Sequence, residues 1–370
     1  MPSQWNCPDV RESVILRMSI TRQFTHCLLR PEDVPPSQDN LMVVGVFNPA
    51  IAVVNGETLL LARVAEGPVE TRAGWVGLPR WDLENSRVIV DWVPEADVLR
   101  EDTRSVRFKR DGTVRLTFAS HLCLAWSDNH RTIRHMEASR FLPASALEEY
   151  GVEDPRITRI DDTYYITYVA ISRHGPATML ASTRDFRLFE RHGVIFCPDN
   201  KDIVLFPEKI GGRFTALHRP SLAARLTSPE IWLATSPDLL HWGGHVHLRG
   251  GTQDWECGRI GAGAPPVRTP SGWLELYHGN DRRYGEARVG RYSGGLLLLD
   301  LDEPVRIRGV SDAIFVPEME FELNGFVPDV VFPTGLILQD DLALVYYGAA
   351  DTVSAVTAFR LQDLLAAVGC

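Results

Sequence analysis

Residues 180–193 read LASTRDFRLFERHG, and the same outline returns as LAWSDNHRTIRHME at 124–137 and LATSPDLLHWGGH at 233–245. Each copy leaves a short apolar strand, turns at an aspartate and re-enters a second strand. Asp128, Asp185 and Asp238 align at a period of about fifty residues. A period of that length, carrying several short strands and an Asp-anchored turn, fits the blades of a β-propeller, each blade a four-stranded sheet. Dividing the chain by it, with the irregular N-terminus set aside, gives about five to seven blades. A pair of β-sandwiches is the alternative, because Asp-turn hairpins occur in both.

The rest of the chain agrees with an all-β fold. VVGVFNPAIAVV, TLLLARV, RVIVDWV, VRLTFASHLCLAW, YYITYVAIS, RFTALHR, EIWLAT, WLELYHG and LALVYYGAA are short, rich in β-branched and aromatic residues, and bounded by Gly, Pro, Asp or Asn. Helical periodicity is confined to SALEEYG, the terminal TAFRLQDLLAAVG and the first forty residues. The expected organisation is an N-terminal extension over 1–40 and one domain over 41–370, ending in a helical segment.

Composition narrows the partners. The 370 residues are 45% hydrophobic and 23% charged, as in a globular protein with a real core. The 48 acidic against 38 basic side chains give a formal charge of -10, which argues against nucleic acid or anionic lipid as a partner and for small neutral ligands. No apolar run approaches the roughly 20 residues of a membrane helix. The start, MPSQWNCPDVRESVILRMS, has no uninterrupted apolar core before a cleavage site, so a cytoplasmic protein is expected. Cys7, Cys27, Cys123, Cys197, Cys257 and Cys370 are scattered, with no CxxC pair and no zinc spacing, and are expected to be free thiols.

A propeller gathers loops distant in sequence around one channel, so its site residues should be dispersed, about one cluster per repeat. Four such clusters occur. In Glu153-Asp154-Pro155-Arg156 the proline biases Asp154 toward an extended backbone ahead of a buried strand, which holds a carboxylate on a rigid support; a loop-capping turn paired with Arg156 is the plainer reading. Pro198-Asp199-Asn200-Lys201-Asp202 and Leu217-His218-Arg219-Pro220 bracket a hairpin, where Arg219 could grip an anion or a pair of sugar hydroxyls or simply be structural. Gly258-Arg259-Ile260-Gly261-Ala262-Gly263 is neither a P-loop nor a dinucleotide fingerprint, since no helix follows. It leaves Arg259 and His278 as candidate anion contacts, against ordinary turn glycines and a hydrogen-bonded histidine. Glu322 and Asp351 lie beside aromatic residues, a combination that suits a sugar, although acidic surface loops would look the same.

GVEDPRIT, NKDIVLFPEKI, LHRP, RIGAGAPP, GWLELYHG, LLLLDLDEP, PEMEFELNGFVPDVVFPTG and YYGAADT, in that order over roughly residues 41–360, resemble the motif series of glycoside hydrolase family 130. The resemblance implies a five-bladed β-propeller acting on β-mannosides with inversion, most members being phosphorylases that release α-mannose 1-phosphate and some being hydrolases. It implies Asp154 as the general acid, protonating the leaving oxygen through a sugar hydroxyl. Asn200, Arg219, Arg259 and His278 would contact phosphate. Asn48, Arg63, Glu153, Arg156, Lys201, Asp202, His218, Tyr277, Glu322 and Asp351 would line the sugar site.

Inverting cleavage needs an acid on the leaving-group side and a nucleophile on the opposite face. Phosphate is already an anion and needs cationic donors, whereas water needs a carboxylate base. As aligned, some phosphorylases carry a basic residue where this chain has Asp199, and a lysine where it has Arg259. Arg259 keeps the charge, while Asp199 facing inward would repel phosphate or serve as a base. The leading expectation is an inverting β-mannoside phosphorylase on a short oligosaccharide, with inorganic phosphate as co-substrate and no metal or organic cofactor. The alternatives are an inverting β-mannosidase on the same scaffold and a non-catalytic sugar-binding propeller. The first forty residues could pack on a neighbouring subunit and make a homo-oligomer.

Overall fold

The computed structural model describes residues 20–221, 226–283, 286 and 288–370. Cys7 and residues 1–19 of the expected N-terminal extension lie outside the described residues. The fold is built almost wholly from antiparallel strands. The first unit runs Leu41–Val54, Glu57–Pro68, Ala119–Ser127 and His135–Phe141, and the second Gly151–Ile160, Thr163–Ser172, Gly175–Thr183 and Glu190–Phe196. These two share one sheet through a single parallel bridge, Gly151 to Ser120. The third is Asn200–Leu205, Phe214–Pro220, Ile231–Ser236 and Gly243–Arg249. The fourth is Arg259–Ala262, Gly272–Asn280, Tyr292–Leu299 and Ile307–Val310, with the short Val267–Thr269 beside its second strand.

The last unit takes Val331–Gln339, Leu342–Ala349 and Val353–Arg360 from the end of the chain and Phe24–Leu29 from its start, with Phe24 opposite Ala358. The first forty residues are therefore not a helical appendage where they are described. A strand completes the last sheet and a 3-10 turn, Pro31–Asp33, follows it. Leu28 and Leu29 are buried there and Phe24 packs on the same core, so burial against the sheet overrides any helical preference. SALEEYG gives the 3-10 turn Ala146–Glu148, and the C-terminal segment divides into Val353–Arg360 and a helix, Leu361–Ala367.

Each sheet is apolar on both faces because each is sandwiched. Leu59, Leu61, Leu124 and Val152 join the first and second units, and Leu180, Ile203 and Ala216 the second and third. Leu217, Ile260 and Trp273 join the third and fourth, and Leu276, Leu296 and Val345 the fourth and fifth. Leu60, Val64, Leu344 and Val356 join the fifth back to the first. Truncating one of these, such as fully buried Leu60 to alanine, costs about 2–5 kcal/mol.

The repeated turns connect the third and fourth strands of the first three units. Asp185 Oδ1 accepts the N–H groups of Arg187 and Leu188, and Asp238 Oδ1 those of Leu240 and His241. In the first unit the alignment shifts by one residue, since Asn129 rather than Asp128 accepts from Arg131 and Thr132. Asn offers the same side-chain oxygen, so the turn tolerates the exchange.

One segment interrupts the pattern. Between the second and third strands of the first unit the chain detours through a hairpin, Trp75–Asp82 with Arg87–Pro94, and a small sheet, Val98–Arg100, Ser105–Phe108 and Val114–Leu116. Its return passes Phe118, which meets Phe326 edge-on at 5.9 Å between ring centroids.

Candidate active site

The first strands of the first three units each break their ladder at a polar residue. Register slips between Phe47 and Ala50, between Glu153 and Arg156, and between Lys201 and Val204. Within those slips Asn48, Asp154 and Asp202 take φ of 50°, 47° and 55°. Asn and Asp tolerate this left-handed conformation, and a bulge re-aims its side chain away from the strand's regular alternation. Three polar groups are thereby turned out of otherwise apolar strands.

Asp154 is held from one side. Its Oδ1 accepts a hydrogen bond from Asn48 Nδ2 at 2.7 Å and from Arg63 NH1 at 2.9 Å, while Arg63 NH2 donates to Glu153 Oε1 at 2.7 Å. Arg63 is fixed over the rings of Phe47 and Phe118 and donates to Ser120 Oγ at 3.2 Å. Asp154 Oδ2 accepts no hydrogen bond among the described residues, and 11% of the side chain remains exposed. That oxygen is free to meet a ligand. Burial would raise the Asp154 carboxyl, but Arg63, then Lys201 and Arg156, outweigh it and hold the group below its usual range. Arg156 secures the bulge by donating to the Asp154 and Pro155 carbonyls at 3.0 and 3.1 Å and to the Gly263 carbonyl of the fourth unit.

A cationic group lies on the other side. Arg219 NH1 sits 2.6 Å from Asp202 Oδ2 and 3.2 Å from His278 Nε2, with all three side chains buried. Burial holds His278 below the usual imidazole range despite Asp202. Arg259 has no carboxylate within ion-pair reach among the described residues. Tyr292 favours its cation, but burial and the like charges of Arg219, Arg104 and Arg282 prevail and hold the guanidinium below its usual range. The buried Nε atoms of Arg219 and Arg259 have no hydrogen-bond partner among the described residues. An uncompensated cation at Arg259 and idle donors on both arginines together fit an anion.

The two sides are joined. Asp351, in a turn at φ 48°, lies within electrostatic reach of Asp154, Glu153 and Arg63, and its Oδ2 is 3.9 Å from Arg104 NH1. Burial pushes its carboxyl up, against the pull of Arg104 and Arg63. Lys201 Nζ is 3.8 Å from Glu153 Oε2, and both Lys201 and Arg219 act on Asp199, whose carboxyl burial raises. Asn200 donates from Nδ2 to His218 Nδ1 at 3.0 Å, and its buried Oδ1 has no partner among the described residues.

Three residues assigned to the sugar by resemblance are committed elsewhere. Glu322, fully buried, receives Arg22 at 2.6 and 3.1 Å, the Tyr347 hydroxyl at 2.5 Å, and the N–H groups of Glu318 and Met319. Both of its oxygens are taken, so it fastens the short helix Glu320–Leu323 to the last sheet. The Tyr277 hydroxyl donates to Glu256 at 2.7 Å, and Arg249 donates to the same carboxylate, a buried network at the third–fourth unit junction. His218 stacks on Phe196 and meets His245 at 3.1 Å, behind Asn200. Arg104 and Tyr292 were not anticipated. Arg104 lies in the detour, where neither repeat nor strand alternation marks it. Among the described residues no group of three or more His, Cys, Asp or Glu side chains could hold a metal ion, the five described cysteines are unpaired, and no helix is long and apolar enough to cross a membrane.

A family model described as beta-1,4-mannooligosaccharide phosphorylase matches residues 110–369. The chain is 38% identical over 354 residues to a beta-1,2-mannobiose phosphorylase of Listeria innocua, covering 94% of this chain and 98% of that one. A solved structure of the Listeria innocua beta-1,2-mannobiose phosphorylase in complex with beta-1,2-mannobiose superposes with a TM-score of 0.87 at 36% identity, over 93% of this chain and 99% of that one. A 1,2-beta-oligomannan phosphorylase of Thermoanaerobacter is 38% identical over 219 residues, 58% of this chain and 70% of its own.

Proposed function

The chain belongs to glycoside hydrolase family 130, and from that membership we propose that it is an inverting phosphorylase of short β-1,2-linked mannosides. Inorganic phosphate is the co-substrate and α-mannose 1-phosphate the product. The observation that carries this reading is Arg259, half-buried, within electrostatic reach of Arg219, Arg104 and Arg282 and with no carboxylate within ion-pair reach among the described residues. A water-using site needs no such surplus of positive charge. The linkage follows the relatives named above.

The five four-stranded units are the blades of a five-bladed β-propeller, and residues 41–370 with Phe24–Leu29 are its single catalytic domain. Support comes from the apolar contacts between successive units, the fifth packing on the first as the others pack on their neighbours. Such a ring accounts for the meeting of bulges from three units.

In this mechanism the terminal mannosyl unit sits against Asn48, Arg63 and Asp351, with phosphate between Arg219 and Arg259. A phosphate oxygen forms a bond to the anomeric carbon as the bond to the leaving oxygen breaks on the opposite face. Asp154, through Oδ2 and a sugar hydroxyl, supplies the proton that the leaving oxygen takes. Arg63 and Asn48 fix the other carboxylate oxygen, which orients the donor. Crystals soaked with phosphate test the assignment. An anion within hydrogen-bonding distance of Arg219 and Arg259 is expected; an anion only at the molecular surface contradicts it.

A further inference from the structure

The detour from Val69 to Phe118 reaches the site at its tip. Thr103 Oγ1 donates to the Phe326 carbonyl at 2.9 Å, so the tip spans from the first unit to the loop that precedes the last. The next residue, Arg104, has a pinned backbone. Its N–H donates to Asp102 Oδ1 at 2.8 Å and its carbonyl accepts from Thr117 N at 3.0 Å, while Thr117 Oγ1 donates to the Thr103 carbonyl at 2.8 Å. The guanidinium is oriented too, since Nε and NH2 both donate to Asp102 Oδ2, at 3.3 and 2.8 Å.

One end of this fixed group is uncommitted. NH1 makes no hydrogen bond among the described residues, and its closest carboxylate oxygen, Asp351 Oδ2, lies at 3.9 Å, beyond hydrogen-bond range. Arg104 also lies within electrostatic reach of Arg259 and Tyr292, on the cationic side of the site. Arg259 feels the like charge of Arg104, and an anion shared between the two removes that repulsion.

We propose that Arg104, carried in by the inserted sheet, is a phosphate-binding residue whose NH1 donates to a phosphoryl oxygen shared with Arg259. This rests on the phosphorylase reading and extends it to a residue outside the repeated units. Asp102 is then a positioning residue, and the tip walls the site on the side of Asp351.

The test is steady-state phosphorolysis of β-1,2-mannobiose by wild type, Arg104→Ala and Arg104→Lys, varying phosphate at saturating disaccharide and the reverse. The alanine variant raises KM for phosphate at least about tenfold, the effect of losing one charge-assisted hydrogen bond, with KM for mannobiose held within about twofold. Lysine, a point charge without the fork, falls between. An unchanged phosphate KM, or a rise in mannobiose KM alone, overturns the proposal, the latter pointing to Asp351 instead. If the alanine variant fails to fold, Arg104→Lys and Arg104→Gln decide by the same constants. Titration of inorganic phosphate by calorimetry separates this inference from its premise. Wild type that binds phosphate but does not use it sinks the phosphorylase reading, while binding undiminished in the Arg104 variants sinks the role of Arg104.

Discussion

Arg63 NH1 grips Oδ1 of Asp154 at 2.9 Å and leaves Oδ2 without a hydrogen-bond partner among the described residues. The two oxygens of one carboxylate thus have different roles, one structural and one open to chemistry. The grip also keeps Asp154 ionised, because Arg63, Lys201 and Arg156 together outweigh burial. A proton donor must regain its proton, and an arriving phosphate, being of like charge, favours that.

Phosphate binding should therefore be accompanied by proton uptake at neutral pH, read by calorimetry in buffers of different ionisation enthalpy. In Asp154→Asn the uptake disappears and kcat falls about 10²- to 10⁴-fold, the usual contribution of a general acid. The stability sign runs with the depressed carboxyl. Asp154 stabilises the fold above the unfolded carboxylate range and loses that contribution as pH falls through its lowered folded value. The wild-type advantage over Asp154→Asn should shrink on acidification.

Asp199 separates phosphorolysis from hydrolysis. It lies within electrostatic reach of Lys201 and Arg219 and opposes an incoming anion. Asp199→Asn should lower KM for phosphate about two- to fivefold with kcat retained, an effect of the size expected for one partly exposed like charge. Loss of turnover would instead mark Asp199 as a base.

Glu322 is expected to matter for stability. Replacing it with alanine strands Arg22, whose side chain is 10% exposed, and breaking such a pair costs about 3–5 kcal/mol. Thermal unfolding of Glu322→Ala should move down by several degrees, while KM for mannobiose in the folded fraction stays within about twofold. A raised KM with unchanged unfolding would return Glu322 to the sugar.

Glu275 offers a pH signature away from the reacting groups. It is buried in the fourth unit, accepts the Gly263 N–H at 3.1 Å, and burial holds its carboxyl well above the usual range. The folded state binds a proton that the unfolded state releases, so this term weakens stability as pH rises above the unfolded value. Glu275→Gln should raise the melting temperature relative to wild type more at pH 8 than at pH 5. Equal shifts at both would mean that the carboxyl is ionised in the fold.

The turn repeat was legible because its chemistry is local. A side-chain oxygen two residues before an N–H marks a hairpin whatever lies around it, which also explains why Asn129 could replace Asp128 unnoticed. The bulge at Asp154 left no such trace, since the proline after it points to an extended backbone and the residue takes a left-handed φ of 47° instead. Non-local facts left none. Phe24–Leu29 pairs with a strand at the opposite end of the chain, and Arg104 enters from a detour without period. Glu322 and Tyr277 show the opposite ambiguity. A polar residue among aromatics reads alike whether it awaits a sugar or completes a buried network, and only the partners Arg22 and Glu256 distinguish the two.

The central claim is that phosphate, not water, takes the mannosyl group. Proton and phosphorus NMR of β-1,2-mannobiose with inorganic phosphate and the purified protein tests it most directly. The account predicts α-mannose 1-phosphate as the first product, one per mannose released, and no cleavage when phosphate is omitted. Free mannose formed at the same rate without phosphate would contradict it.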